Sequence, residues 1–176
     1  MRIKPVPEPP ADLDALREVR RAVPLVPGST DDCCARLRDR LDLPNRQVAN
    51  DWLAFLRAIG LAEETPRGFV RGDGEVTAER VREGLLAGVL LAPETRDLLS
   101  AATPDDPLTA DGLFAATRES VPRHDRARDT NWEEHWRNRA DRLLRWFVLV
   151  DLAEPVGEGS TSGTTAEPAY VAGDAA

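Results

Sequence analysis

The side chains best suited to nucleophilic or metal chemistry are few: Cys33, Cys34, His124 and His135. Cys33 falls on the apolar side of an expected short helix, a place for a buried structural thiol rather than a nucleophile. The four residues lack any Cys-x-x-Cys spacing, so they do not compose a zinc site. No Gly-x-Ser-x-Gly elbow, phosphate-cradling glycine loop or His-Glu-x-x-His pair is present. The acid pairs Asp31/Asp32, Asp105/Asp106 and Glu133/Glu134 are expected at helix starts, where the dipole favours negative charge. The sequence therefore predicts no catalytic residue, no metal site and no cofactor: the protein is not expected to be an enzyme.

A different chemistry is written at Asn45-Arg46-Gln47, with Asn50 one turn on. These side chains project away from the apolar face formed by Ala49, Trp52, Leu53 and Leu56. Arg, Asn and Gln carry forked donors and acceptors that match guanine and adenine edges in the major groove of DNA. Arg36, Arg38 and Arg40 before them, and Arg57, Arg67 and Arg71 after them, are placed to reach phosphates. Between residues 36 and 57 five arginines face three acids, so this stretch is basic inside an acidic chain. The DNA-binding set expected from the sequence is Asn45, Arg46, Gln47, Asn50, Arg57, Arg67 and Arg71. The plainer alternative is that Asn45 only caps a helix and the arginines are solvated surface.

A second region is distinctive for its aromatics. Trp132, Trp136, Ala140, Leu143, Phe147 and Val150 form one long apolar stripe at helical spacing, preceded by a capping-box signal at Thr130-x-x-Glu133. Trp132 and Trp136, one turn apart at its start, are expected either to anchor an interface with a second copy or another protein or to pack within the chain. Eight arginines here face six acids. Arg137, Asp141 and Arg145, at i, i+4 and i+8, are spaced to pair as a salt-bridged exterior.

The composition bounds these readings. The chain has 176 residues, 31 acidic against 23 basic, and a formal net charge of −8. That length suits one domain or two small ones, and an apolar content of 41% suits a folded, soluble protein. The acidic balance argues against gripping nucleic acid by bulk charge, but leaves room for a local basic face. No apolar run is long enough to span a membrane, and the Met-Arg-Ile-Lys-Pro start does not look like a signal peptide. Adjacent Cys33 and Cys34 make no disulfide framework, so a reducing cytoplasm is the expected compartment. Lys4 is the only lysine, the other basic residues being arginine. This bias suits a high-GC genome, and an acidic, lysine-poor chain resembles proteins of high-salt cytoplasm.

Helical periodicity and turn signals place these residues. Residues 1–11, with Pro5, Pro7, Pro9 and Pro10, read as a flexible arm. Helices are expected over about 12–23, ended by Pro24, and from the Ser29-Thr30-Asp31-Asp32 cap through Leu41. After the Leu43-Pro44-Asn45 turn a third helix runs to Gly60, with Ala49, Trp52, Leu53, Leu56 and Ile59 on its core face. A hairpin follows over 61–71, turning at Thr65-Pro66-Arg67-Gly68. Helices at 77–91 and 93–102 come next, and Gly/Ser/Thr-rich 156–168 reads as a flexible loop. Ala49–Glu63 aligns with Ala140–Glu154 at an offset of 91, with Ala169-Tyr170-Val171 standing where Gly68-Phe69-Val70 stands.

The stretch LPNRQVANDWLAFLRAIGLAEETPRGFVR, with its Leu56, Ile59, Gly60, Leu61 exit, resembles the winged-helix family at the point where the second helix of the helix-turn-helix meets the wing. The likeness covers about 60 residues, and the internal repeat extends it to a tandem pair of prokaryotic type, a haloarchaeal origin being one of the readings that the composition leaves open. It implies a mainly α fold of two units, each three helices plus a small β-hairpin, at 12–75 and 76–176. It also implies a cytoplasmic DNA-binding protein, most simply a transcriptional regulator whose partner is double-stranded DNA. The alternative from another class is a tandem winged-helix scaffold that binds protein, of the kleisin-associated or ATPase-accessory kind. A weaker third reading is an effector-sensing regulator.

Overall fold

The computed structural model describes residues 2–156 and 167–176. It divides into two compact units, Met1–Leu90 and Leu91–Ala176.

The first unit opens with α1 (Leu13–Ala22), whose N-cap Asp12 accepts the Ala15 N–H at 2.7 Å. Its buried face is Leu16, Val19 and Ala22. Pro24 forbids continuation, and the last carbonyls of α1 are taken by two guanidiniums. Arg36 Nε donates to Ala22 O, and Arg71 Nε and Nη2 donate to Val23 O and Arg21 O. A cation at this end also complements the helix dipole. Helix α2 (Thr30–Leu41) starts at Ser29, whose hydroxyl accepts the Asp32 N–H, and buries Cys33, Cys34 and Leu37. Asp42, in the left-handed region, turns the chain sharply into α3 (Arg46–Ala58). Ala49, Trp52, Leu53, Phe55 and Leu56 are buried on α3, and Trp52 meets Phe55 edge-on at 6.3 Å.

Strands β1 (Ala62–Thr65) and β2 (Gly68–Arg71) form the antiparallel wing, Ala62 opposite Arg71 and Thr65 opposite Gly68. A third strand is reduced to one residue. Gly28 exchanges both backbone hydrogen bonds with Phe69, at 2.8 and 2.9 Å. This contact is why position 68 is glycine. Its φ is +116°, and a Cβ there would sit 2.0 Å from the Gly28 carbonyl oxygen.

The unit closes with α4 (Ala78–Gly88), which the sequence reading assigned to the second half. It packs on α3 through small residues: a Cβ at Gly84 would lie 2.5 Å from the Ile59 Cα, and one at Gly88 2.5 Å from the Ala58 oxygen. The compact units therefore divide at Leu90/Leu91 rather than at 75/76. The proline-rich start is also docked. Ile3 bridges Val89, donating to Gly88 O and accepting from Leu90 N, and Val6 is buried. Pairing with the end of α4 replaces the free arm that its prolines suggest.

The second unit repeats the order. Helix α5 (Ala92–Ala101) is followed by the short strand β3 (Leu108–Thr109) and α6 (Ala110–Thr117), capped by the Thr109 hydroxyl on Gly112 N–H. A 3-10 turn (Arg118–Ser120) and α7 (Arg123–Arg128) intervene before the long α8 (Trp132–Leu149). Strands β4 (Ala153–Val156) and β5 (Ala169–Ala172) make the wing, and the sheet order is β3-β5-β4. Each unit thus has helix, strand or bridge, helix, helix and wing. The offset of 91 extends to the backbone: Leu61 N donates to Leu56 O as Leu152 N donates to Phe147 O, and left-handed Asp151 stands where left-handed Gly60 stands. Two residues separate the strands in the first wing and twelve in the second. Most of the Gly/Ser/Thr-rich stretch, residues 157–166, lies outside the described residues.

Two local expectations are corrected. Asp105/Asp106 sit in a turn closed by Thr103 and Asp106, not at a helix start. The capping box at Thr130 does not form. The first turn of α8 has no side-chain cap, and Asp129 holds the entry instead, accepting the Asn131 N–H at 2.9 Å and pairing with His135.

Candidate nucleic-acid interface

The tight turn at Asp42–Asn45 brings the first turn of α3 to the surface beside the end of α2. Asn45 is the N-cap, its Oδ1 accepting the Val48 N–H at 3.0 Å. Its side chain is thereby committed to starting the helix. Arg46, Gln47 and Asn50 are exposed, as are Arg38 and Arg40 on α2. Arg46 is ion-paired with Asp31, both side chains well exposed at 66% and 75%. Gln47 donates from Nε2 to Asp51 Oδ1 at 2.9 Å. The sequence reading missed these acidic partners. Asp51, one turn beyond Gln47, is visible in the helical pattern, but Asp31 lies fifteen residues upstream and reaches Arg46 only because α2 packs on α3.

The remaining sequence candidates diverge. Arg57, eleven residues and about 17 Å further along α3, pairs with Glu64 of β1. Arg71 is turned inward onto the α1 carbonyls. Arg67 sits exposed at the wing tip, and among the described residues only its backbone N–H is engaged, by the Thr65 hydroxyl at 3.2 Å.

The corresponding place in the second unit is built differently. At the offset of 91, Arg137 and Asn138 stand where Arg46 and Gln47 stand, but α8 begins five residues earlier. Trp132, in that added turn, leans on Phe114 with ring centroids 5.9 Å apart and lies under the Arg118 guanidinium. Trp136 is buried beneath Arg139. Arg137 does not complete the expected ladder with Asp141. It bonds Asp111 at 3.0 Å, near Glu133, and stacks over Phe114, leaving Asp141 to Arg145. Trp136 is thus buried within its own unit, while Trp132 stays half-exposed at the start of α8.

Two units of one topology, each closing on a wing, set the ground for comparison with known families. The model of the halobacterial double winged helix domain matches residues 1–167. The chain belongs to this family. Neither a curated protein nor a solved structure matches it. Membership as a double winged helix domain agrees with the tandem fold and with the acidic, lysine-poor composition. Among the described residues no helix of this double winged helix protein is long and apolar enough to cross a membrane.

Proposed function

We propose that the protein binds double-stranded DNA through the first winged helix and acts as a transcriptional regulator. The observation that carries this reading is the exposed first turn of α3, which presents Arg46, Gln47 and Asn50 to solvent. The start of the helix after the turn is the part that meets base edges in helix-turn-helix proteins. Arg46, Gln47 and Asn50 read bases in this scheme, while Arg38, Arg40 and the wing-tip Arg67 meet phosphates. Arg71 stays on its α1 carbonyls, and Arg57 is held at the surface by Glu64. The reading needs no cofactor and involves no membrane.

Fluorescence anisotropy with labelled genomic fragments over a potassium chloride series tests it. Binding that weakens with salt and concentrates on particular fragments is the expected result; no binding at the lowest salt, where attraction is strongest, refutes it. The rival reading, a scaffold that binds protein as a subunit of a larger complex or as a homodimer, is favoured by Leu25 and Val26, apolar side chains 74% and 71% exposed in the loop after α1. Leu25→Ser and Val26→Ser would abolish a protein contact there and leave DNA affinity untouched.

A further inference from the structure

Four arginines converge on a second place in the first unit, away from the base-reading turn. Arg17, Arg20 and Arg21 lie at i, i+3 and i+4 on α1, so they share one face of the helix. With Arg71, Glu75 and Val76 they line an open cleft of about 310 Å³. That volume is at the small end of ligand sites, which run roughly 300–1,000 Å³.

The backbone holds these guanidiniums in place. Arg17 Nη2 donates to Val76 O at 3.0 Å, Arg20 donates to Gly72 O, and Arg71 is fixed on Val23 O and Arg21 O. Four carboxylates, all of them at exposed positions, stand near these four arginines. Arg17 and Arg21 pair with Asp14 and Glu18, but on exposed positions of α1, where such pairs are weak. One carboxylate, Glu75, lines the cleft itself, and Asp73 acts on Arg20 from nearby. The Nε of Arg20 is buried with no acceptor among the described residues, a costly state for a charged donor. Burial, then Arg71 and Arg80, push the Arg20 guanidinium below its usual range, as expected of cations crowded together.

The fold itself does not require the cluster. The second winged helix has a single arginine, Arg96, on its first helix, and Ala172 stands in the register position of Arg71. The same architecture is built there without converging cations.

We propose that this cleft is a binding site for a phosphate-type oxyanion, held by Arg17, Arg20 and Arg21 with Arg71 at its wall. A tetrahedral oxyanion supplies several acceptor oxygens at once and suits the planar fork of arginine. Against concentrated chloride this multidentate fit is what separates it. The proposal stands apart from the DNA reading, since none of its α1 residues belongs to the base-reading turn. The oxyanion is either a free phosphate compound or a backbone phosphate of duplex DNA.

The test is titration of inorganic phosphate into the full chain in molar potassium chloride at fixed ionic strength, followed by thermal melting and calorimetry. The expected result is saturable stabilisation beyond the chloride control. Arg21→Gln, at an exposed position, should weaken it several-fold, as should Arg20→Lys, which keeps the charge but loses the fork. Arg96→Gln, the same charge change at an exposed position of the second unit, should leave it unchanged. Phosphate acting no better than chloride overturns the proposal, as does full phosphate affinity in Arg21→Gln. Should Arg20→Lys fail to fold, Arg21→Gln decides. Duplex affinity distinguishes the sources. Weakening by Arg21→Gln together with competition by phosphate assigns the site to the DNA backbone. Unchanged duplex affinity beside lost phosphate binding assigns it to a free phosphate compound.

Discussion

Arg46 stands at the start of α3 with Asp31 as its resting partner. An exposed pair of this kind is worth about 0–1 kcal/mol, and less in concentrated salt. A bidentate arginine–guanine contact is worth about 1–3 kcal/mol of discrimination. On the proposed reading the base edge outweighs this pair, and Asp31 would act as a weak brake that DNA displaces. Arg46→Ala is expected to cost about 1–3 kcal/mol at the preferred sequence and to relax the preference. Asp31→Ala should tighten all sequences slightly. Arg67→Ala, at the wing tip, should weaken all sequences alike and reduce the salt slope by about one. Competition binding across a panel of duplexes checks the three together; an Arg46→Ala variant that keeps its preference refutes the assignment. A second residue-scale prediction concerns Asp129. The Asn131 backbone N–H, then His135, hold its carboxyl below the usual range. A depressed carboxylate stabilises the fold above its unfolded pKa of about 3.9, and that contribution is lost as pH falls through the folded value. Asp129→Asn should therefore be less stable than the wild type near neutrality and approach it below the carboxylate range. Urea midpoints measured across pH read this, and a difference that does not shrink in acid contradicts it.

At the scale of elements, the first wing depends on one close approach of backbone to backbone. Gly68 is held at φ +116° against the Gly28 carbonyl. Gly68→Ala adds both left-handed strain and a clash with a main-chain atom, so a loss of more than about 1 kcal/mol is expected. Amide exchange should speed up at Gly28 and Phe69, whose mutual bonds are the ones forced apart. Protection unchanged at both would show that the bridge tolerates a side chain. Much of this layer was legible from the sequence. Caps at Ser29 and Asn45, the stop at Gly60, and the core face of Trp52, Leu53, Leu56 and Ile59 are local patterns, and they formed as local physics dictates. What escaped was non-local. The one-residue strand at Gly28 has no run to announce it. Ile3 pairs with Val89 across most of the unit, and α4 joins α3 through two glycines that read from sequence as helix-weakening. Arg71 looked like a phosphate contact because its inward hydrogen bonds lie 48 and 50 residues away.

At the scale of the molecule the two winged helices share a topology but not a charge. Residues 1–90 hold fourteen basic and fifteen acidic side chains; residues 91–176 hold nine and sixteen. The net of −8 is therefore concentrated in the second unit, at −7, leaving the first near neutral at −1. A near-neutral unit with its arginines grouped can approach a polyanion, whereas one of seven net negative charges is repelled by it. The added turn of α8 works in the same direction. It spends Arg137 on Asp111, near Glu133, and lays Trp132 beside the start of the segment that would read bases. The double winged helix thus has one near-neutral unit with an exposed helix start, which suits the proposed DNA contact, and one whose equivalent helix start is occupied by its own packing. Each unit has its own buried core, with Leu16, Leu37, Leu53 and Leu56 in the first and Leu99, Leu113, Leu144 and Phe147 in the second. Residues 1–90 and 91–176 produced separately should each melt cooperatively in high salt, where screening relieves the self-repulsion of the acidic half. The first fragment should retain the sequence preference of the full chain, and the second should bind no duplex at any salt. Fragment binding measured by anisotropy decides it: preference found in 91–176, or lost from a folded 1–90, would move the reading surface away from α3 of the first unit.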